Sequence, residues 1–374
     1  MGKATRSYYI DNLRILLTAL VVMHHWAITY GAPGLWYYNE GNTSEIASIF
    51  LALFVATNQA FFMGMFFMIS SYFLDKPWRR KTKATLLKDK FKRLGIPLLI
   101  YIFILSPIII YLTRTFIQGL NYPSVPAFLT QAKWLTFGPL WFVAALLIFS
   151  LAAILFKSSK ATTPELVHPL PNNIKILGFA VFIALISFFV RIGYPVGKSL
   201  QPVGFQLAHF AQYISLFYIG IIASRHQWFD QITYSLGIKW FKIILLMIFV
   251  LFPLGFYLGG ALEGGTDVFM GGWSWQSLFY CLWEQIVGIG IMVSLLGIFK
   301  EKYNRQGEQL KKASASAYSV YIIHALILVS VSILIKDLPL SSTFKFIAFA
   351  PVVLLVSFGL GNMLRKLPLL REVL

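Results

Sequence analysis

Long apolar runs constrain this chain more than any other feature. A helix needs about 20 predominantly apolar residues to cross the hydrocarbon core of a bilayer, and the 374-residue sequence contains ten such runs. The second run is unusually long, which predicts a helix that is tilted, or broken near Gly64. We predict transmembrane helices at residues 10–30, 46–74, 96–116, 139–156, 174–194, 205–224, 240–258, 275–299, 314–335 and 344–363.

The composition excludes most other protein classes. Hydrophobic residues make up 58% of the chain and charged residues only 12%, whereas a soluble domain carries about 25% charged residues. An ordinary soluble enzyme, a disordered chain and a fibrous protein are therefore excluded, and uninterrupted apolar runs do not fit a β-barrel. We predict an all-α integral membrane protein in which residues 1–374 form one transmembrane domain with no appended soluble domain.

The distribution of positive charge predicts the orientation in the membrane. The chain has 32 Lys and Arg residues against 14 Asp and Glu residues, a net charge of +18. Nine of the basic residues lie between positions 76 and 93, and five between positions 300 and 312. The positive-inside rule places these stretches in the cytoplasm, together with Lys3, Arg6 and both termini. Topology and attraction to anionic lipid explain the charge, so no nucleic-acid partner is predicted.

Ionisable groups in the first span point to a site inside the bundle. Arg14 and His25 are eleven residues apart, which is about three helical turns and about 16 Å, so both side chains face the same way. Asp11 lies one turn before Arg14 and is placed to pair with it, while His24 points elsewhere. In the alternative without a functional site, Arg14 snorkels to the cytoplasmic headgroups and His25 lies at the membrane interface. Two histidines and an arginine in one span favour a site that faces the bundle.

Two later spans carry further polar groups. His324 follows Tyr321 by one turn, and this polar stripe fits a structural hydrogen bond as well as a substrate contact. Glu284 is the only carboxylate deep in a span, so it must be protonated or paired. Its possible partners are His24, His25, Arg191 and His324, and a structural ion pair and a catalytic role both remain open. Arg191 near the outer end of its span is explained by snorkelling, or by contact with a polar acceptor.

This arrangement suits acyl transfer. A histidine can act as general base towards an acceptor hydroxyl, and an arginine can hold phosphate through charge-assisted hydrogen bonds. Acyl-coenzyme A carries phosphates at one end and a thioester at the other, which matches an arm reaching from Arg14 towards His25. The sequence shows no metal-ligand spacing, no phosphate-binding loop and no Gly-x-Ser-x-Gly elbow. The single cysteine, Cys281, excludes a disulfide framework.

Five motifs in order resemble the acyltransferase-3 family of bacterial membrane proteins over nearly the whole chain. Two depart slightly from the family pattern, because Ser71 stands where the family has Gly and Lys90 where it has Arg. The motifs are Arg14 followed by His25, the Phe-Phe-x-x-Ser segment at 66–74, the basic pair and proline at 90–97, the Trp-Phe segment at 138–142, and the Ser-Tyr-Tyr-His segment at 316–324.

The resemblance implies transfer of an acyl group, acetyl or succinyl, from cytoplasmic acyl-coenzyme A to a hydroxyl of an extracytoplasmic glycan or glycolipid. It implies a multi-pass protein of the bacterial inner membrane, with His25 as catalytic base and Arg14 at the donor site or in a proton relay. It also implies that Lys90 and Arg93 meet the phosphates of coenzyme A, although the positive-inside rule explains basic residues there as well. His-His-Trp at 24–26 and Gly-Ala-Pro-Gly at 31–34 resemble the periplasmic-glucan succinyltransferases.

We therefore predict three groups of site residues and no metal. Acyl-coenzyme A is the expected co-substrate, and a glycan or glycolipid acceptor and the bilayer are the expected partners. The catalytic candidates are His25, Arg14, Glu284 and His324. The coenzyme-binding candidates are Arg14, Lys90, Arg93, Tyr72 and Ser70. The acceptor-binding candidates are His24, Arg191, Trp141 and Tyr321.

Other functions remain as alternatives. A transporter or exporter of a glycan or lipid fits ten helices and intramembrane charges, although paired broken helices and repeat symmetry are not visible. A non-catalytic scaffold leaves the spacing of Arg14 and His25 without explanation. A second class of membrane acyltransferase is built around an Asn or Asp and a His near the end of the chain. This class would also leave Arg14 and His25, near the start of the chain, without explanation.

Overall fold

A computed structural model describes residues 7–41, 43–131, 133–156 and 167–368, together with residue 373. The predicted cytoplasmic residues Lys3 and Arg6 lie outside these residues. In the described part of the chain, five short helices connect the long ones. The β-structure of these residues is limited to one antiparallel bridge between Leu200 and Phe205. The long helices are α1 (Tyr8–Thr29), α2 (Glu45–Tyr72), α3 (Lys83–Ile117), α4 (Gly138–Leu155), α5 (Asn173–Gly193), α6 (Leu207–Arg225), α7 (Tyr234–Leu258), α8 (Trp275–Lys302), α9 (Glu308–Ile335) and α10 (Ser342–Leu364).

The all-α membrane architecture is confirmed. In the described part of the chain, nine helices, α2 to α10, are long and apolar enough to cross a membrane. Helix α1 has 22 residues and would span about 33 Å at 1.5 Å per residue. It is not among the nine, because its polar residues lower its hydropathy. These polar residues are the ones from which the sequence predicts a site.

The observed helices extend beyond the predicted spans mainly where charged residues flank an apolar run. Helix α3 begins at Lys83 and α9 at Glu308, whereas apolar runs placed these starts at residues 96 and 314. An apolar run reports only the part of a helix that lies in hydrocarbon, and charged turns continue the helix into the aqueous phase. Helix α2 runs unbroken through Gly64, so the expected alternative of a break there is wrong.

Polar side chains fix where several helices begin. Asn172 accepts a hydrogen bond from the N–H of Lys175, at 3.0 Å, at the start of α5. Ser274 accepts from the N–H of Ser277, at 3.1 Å, at the start of α8. Such N-caps satisfy backbone donors that have no partner within the helix. They define the helix starts at the membrane surface.

Helix α1 lies in the centre of the bundle. It packs against α2, α8, α9 and α10, and its Leu13, Leu17 and Trp26 side chains are fully buried. Helix α6 approaches α2 closely at Gly220, where a Cβ atom would collide with the carbonyl of Met68. Small residues permit such close contact between transmembrane helices. The bundle therefore surrounds the most polar helix with apolar ones.

Candidate active site

A partly open cavity of about 830 Å³ lies on the side of the bundle that carries the basic residues 81–93. We call this face the basic side. Arg14 from α1 and Lys90 and Arg93 from α3 line the cavity, and Asp11 lies 3.8 Å from Arg14, as predicted. Cationic walls with a half-open shape suit a ligand that carries phosphate. The other lining residues include Thr18, Phe66, Ser70, Phe142, Ser314, Tyr318 and Tyr321.

The backbone of α3 is distorted where it meets this cavity. Residues Phe91–Gly95 form a π-helical turn, and such turns occur frequently at functional sites. In a regular helix the carbonyl of Arg93 would accept from the N–H of residue 97, but Pro97 has no N–H. The hydroxyl of Tyr318 on α9 donates to this carbonyl at 2.8 Å. The contact joins α3 to α9 at the wall of the cavity.

Replacing Tyr318 with phenylalanine should therefore destabilise the protein by about 1 kcal/mol, because the carbonyl of Arg93 loses this donor. Thermal unfolding in detergent measures the effect as a lower melting temperature. Tyr257→Phe, at an exposed tyrosine on α7, is the matched control. Equal melting temperatures for both variants would contradict the assignment.

Three aromatic rings form the deep end of the cavity. The rings of Phe66 and Phe142 are 5.7 Å apart, and that of Tyr321 lies 6.4 Å from Phe66 and 5.8 Å from Phe142. The hydroxyl of Tyr321 donates to the carbonyl of Pro139, which fixes this ring in place. We call these three rings the aromatic wall. His25 is not among the residues that line the cavity.

Two histidines lie on the far side of Tyr321. The ring of His324 is 5.7 Å from that of Tyr321 and 5.3 Å from that of His25, and the two imidazoles are nearly parallel. The indole of Trp36 stacks on His25 at 3.8 Å with an interplanar angle of 13°. His24 instead packs on Phe62, and its ring is edge-on to His25. The structure therefore brings His25 and His324 together, a proximity that the sequence alone did not predict.

The hydrogen bond of His324 defines its chemistry. Its Nδ1 lies 2.6 Å from the carbonyl oxygen of Tyr321. A carbonyl only accepts hydrogen bonds, so Nδ1 carries the proton and Nε2 of the neutral ring carries a lone pair. Nε2 is buried and has no hydrogen-bond partner within the described residues. His324 is thus arranged to accept a proton at Nε2.

The segment before α2 closes the opposite side of this pair. Tyr37 follows Trp36, and its hydroxyl lies 2.8 Å from that of Tyr101 on α3. Burial raises the pKa of Tyr37 to about 12, so its hydroxyl keeps its proton at neutral pH. Gly138 has φ +46°, and a Cβ atom there would collide with both hydroxyls. Glycine at 138 is therefore required for Tyr37 to dock.

The predicted site residues separate into distinct environments. Arg14, Lys90, Arg93, Ser70 and Tyr321 line the cavity. Two other candidates do not line it. The ring of Tyr72 stacks on Phe229 at 4.2 Å, and that of Trp141 stacks on Tyr213 at 5.6 Å.

Glu284 forms a buried ion pair with Arg191. The side chains of Glu284 and Arg191 are 1% and 0% exposed, and the guanidinium donates to Glu284 Oε2. His209 Nδ1 lies 3.0 Å from Glu284 Oε1, and Gln285 donates to Oε2 at 3.1 Å. Of the four partners considered from the sequence, Arg191 is the one observed, and His209 was missed.

The expectation that Arg191 snorkels outwards is wrong. Its Nε donates to the carbonyl of Ala208 at 3.3 Å, and its Nη1 donates to the sulfur of Cys281 at 3.5 Å. An arginine that reaches these partners points into the bundle, between α5, the start of α6 and α8. Neither Arg191 nor Glu284 lines the cavity or contacts His25. Their position indicates a structural connection between three helices.

The comparison with known families decides the class of the protein. A family profile described as an acyltransferase domain matches residues 7–362. The chain belongs to the acyltransferase-3 family. All five sequence motifs lie within the matched range.

The similar proteins include members of this family with a common name. Glucans biosynthesis protein C from Salmonella paratyphi B, Salmonella enteritidis and Salmonella paratyphi A is in each case 27% identical over 233 residues. The match covers 60% of this chain, and the chain spans about 59% of the length of these relatives. No solved structure matches this acyltransferase-3 chain.

Proposed function

We propose that the protein is a membrane O-acyltransferase that moves an acyl group from acyl-coenzyme A on the cytoplasmic side to a hydroxyl of an extracytoplasmic glycan. The basic cavity that ends at an aromatic wall, with His25 and His324 behind that wall, is the observation that carries the proposal. Family membership supports acyl transfer, and the name of the Salmonella relatives supports a glucan as acceptor. The positive-inside rule supports an orientation with the basic side in the cytoplasm, and we place the protein in the bacterial inner membrane as part of this proposal.

The cavity suits the donor by charge and by depth. Arg14, Lys90 and Arg93 offer cationic groups to the phosphates of coenzyme A. Thr18 lies one turn beyond Arg14, about 6 Å along α1 towards the aromatic wall. A thioester arm that extends from the cations therefore points to Tyr321 and to the histidines behind it. The acyl group is acetyl or succinyl in this proposal.

His25 acts as general base in the proposed reaction. It takes the proton from the acceptor hydroxyl, the hydroxyl oxygen attacks the thioester carbonyl, and the C–S bond breaks. The coenzyme A thiolate receives a proton as it leaves, so the proton balance is closed. His324, with a lone pair at Nε2 and its ring 5.3 Å from His25, assists the movement of this proton. No metal is part of the proposed mechanism.

Binding of the donor provides the test. Purified protein should melt at a higher temperature with acetyl- or succinyl-coenzyme A, by an amount equivalent to about 2.7 kcal/mol at a ligand concentration of 100 Kd. The shift should be largely lost in Arg14→Ala, because Arg14 lines the cavity. Lys239→Met, at an exposed lysine on α7, should keep the full shift.

Two results of this experiment would contradict the proposal. The first is a folded protein whose melting temperature does not change with any thioester, which favours the transporter alternative. The second is a shift that Arg14→Ala and Lys239→Met retain equally, because the donor would then bind outside the basic cavity. Transfer of labelled acyl groups to a glucan in proteoliposomes then identifies the acyl group and acceptor.

A further inference from the structure

Residues 31–41, which we call the outer segment, cover His25 on the side away from the basic cavity. Trp36 lies on the imidazole at 3.8 Å, and Tyr37 makes an edge contact with Trp36 and docks on Tyr101. The neighbouring Leu35 is 67% exposed. The segment therefore places one aromatic side chain on the histidine while its tip remains at the surface.

One buried ion pair holds the far end of this segment. Lys345 on α10 is 2% exposed, and its Nζ donates to Glu40 Oε1 at 3.0 Å and to the carbonyl of Lys336 at 2.8 Å. Ser342 also donates to Glu40 Oε1, at 3.2 Å. The N–H of Glu40 donates to the carbonyl of Thr29 at the end of α1, at 2.8 Å. These contacts fix the outer segment to both α1 and α10.

The outer segment restricts the approach that the proposed reaction requires. An acceptor hydroxyl must come within about 2.6–3.2 Å of a nitrogen of the base, and Trp36 covers one face of the His25 ring. His24 on the same helix and His324 on α9 occupy other sides of the ring, each with ring centroids little more than 5 Å away. The outer segment therefore limits an acceptor from outside to the edge of the half-buried His25 ring, and movement of the segment would widen this approach.

The ends of the segment allow such a movement. Gly31 has φ +122° and Gly41 has φ +71°, conformations that residues with a side chain rarely adopt. Between them, the contacts of Glu40 are polar, while Trp36 stacks on His25, meets Tyr37 at an edge and packs against buried apolar side chains. Breaking the ion pair would leave Lys345 as a buried charge without its partner, which opposes spontaneous opening.

We propose that Glu40 and Lys345 form a latch that keeps the outer segment closed over His25 until the acceptor opens it. They are positioning residues, since they act on His25 through Trp36, and the proposal rests on the proposed acyltransferase function. A closed segment also excludes water from the thioester. With the latch broken, water replaces the acceptor: its oxygen bonds to the acyl carbon, the C–S bond breaks, and free acid and coenzyme A are formed.

The test compares thioester hydrolysis with acyl transfer. Lys345→Met and Glu40→Gln should each raise hydrolysis of acetyl- or succinyl-coenzyme A without acceptor, on the order of tenfold, because the closed state loses a buried charge contact. Transfer to a glucan should fall in the same variants. Lys336→Met is the matched control, because its Nζ donates to the carbonyl of Phe116 on α3 and its own carbonyl remains for Lys345. It should show wild-type hydrolysis.

Hydrogen exchange gives a readout that does not depend on activity. The amide of Glu40 should exchange faster in Lys345→Met than in wild type or Lys336→Met, since the Glu40 end is no longer held. The reversed pair Glu40→Lys/Lys345→Glu should recover part of the protection of the Glu40-end amide from exchange. It should also lower thioester hydrolysis and raise acyl transfer, relative to the single variants. Recovery by charge reversal distinguishes an ion pair from loss of packing.

Each outcome separates the two proposals. Hydrolysis that falls together with transfer in the latch variants, or exchange at Glu40 that matches wild type, overturns the latch. A wild-type protein that neither binds nor consumes any thioester overturns the proposed function instead. In that case, hydrogen exchange at Glu40 alone tests whether the ion pair holds the outer segment. Higher hydrolysis with faster exchange confined to the outer segment supports both.

Discussion

Replacing His25 with alanine should lower acyl transfer by about 10²- to 10⁴-fold, the usual contribution of a general base. The ring stacks on Trp36 and lies 5.3 Å from the ring of His324, where the acceptor and the thioester are proposed to meet. Its side chain is only half-buried, so the protein should still fold and bind the donor. Transfer of labelled acyl groups in proteoliposomes, together with the donor-induced thermal shift, measures both properties.

Two further variants make this experiment decisive. His168→Ala removes an exposed histidine far along the chain and should leave transfer unchanged. His324→Ala should reduce transfer as well, since His324 is proposed to assist the proton movement. Full activity of His25→Ala with complete loss in His324→Ala would show that His324, and not His25, is the base. Loss of the donor-induced shift in His25→Ala would show instead that the variant is misfolded or unable to bind donor.

Replacing Glu284 with alanine should destabilise the protein by about 3–5 kcal/mol, because Arg191 would remain as an uncompensated charge inside the bundle. The guanidinium contacts Ala208 and Cys281 but has no second carboxylate within the described residues. Thermal unfolding in detergent should show a large loss of stability. A charge-neutral Glu284→Gln variant should show a similar direction of change.

The double variant Arg191→Met/Glu284→Met tests why the single one fails. Replacing both charges with apolar side chains removes the uncompensated charge, so most of the stability should return. If the double variant folds and transfers acyl groups, Glu284 has a structural role and no catalytic one. A double variant that is stable but inactive would instead indicate a catalytic role for Glu284. Equal stability of Glu284→Ala and wild type would contradict the buried ion pair.

The sequence predicted the fold well because the bilayer imposes one simple requirement. Each helix must carry enough apolar residues to cross the hydrocarbon, and that requirement is visible residue by residue. Most boundaries agree with the structure within a few residues. The larger differences are at Lys83, Tyr234 and Glu308, where residues outside the apolar run continue the helix at its start. Among the ten long helices of the described residues, the polar helix α1 alone lacks the composition of a typical span, and its burial at the centre of the bundle explains how it is accommodated.

The candidate site was only partly predictable. Helical periodicity connects residues on one helix, such as Arg14 with Asp11 or Tyr321 with His324, because the repeat is fixed at 3.6 residues per turn. It gives no information about which helices are neighbours. The contact of His25 with His324 across α1 and α9, and the place of Trp36, required the packed structure.

The interpretation of Arg191 shows the same limit. Near the end of a span, snorkelling and inward pairing look identical in a single sequence. The distinction depends on Glu284 and His209, which lie on two other helices, and on the short turn Leu207–His209 with which α6 begins. A basic residue and an acidic residue deep in different spans are a signal that could have favoured pairing over snorkelling.

In the proposed orientation, the aromatic wall also determines where the membrane voltage acts. A wet cavity carries the electrical potential of the side to which it opens, so little voltage falls between its mouth and the rings of Phe66, Phe142 and Tyr321. The rest of the transmembrane voltage therefore falls across the thinner layer that contains His25 and His324. A proton that moves between these histidines along the membrane normal therefore crosses a steeper field than it would in a uniform bilayer, at up to about 2.3 kcal/mol per 100 mV for a full crossing. If the proposed reaction moves a proton between these histidines, its rate should therefore depend on the membrane potential, although acyl transfer itself carries no net charge across the membrane.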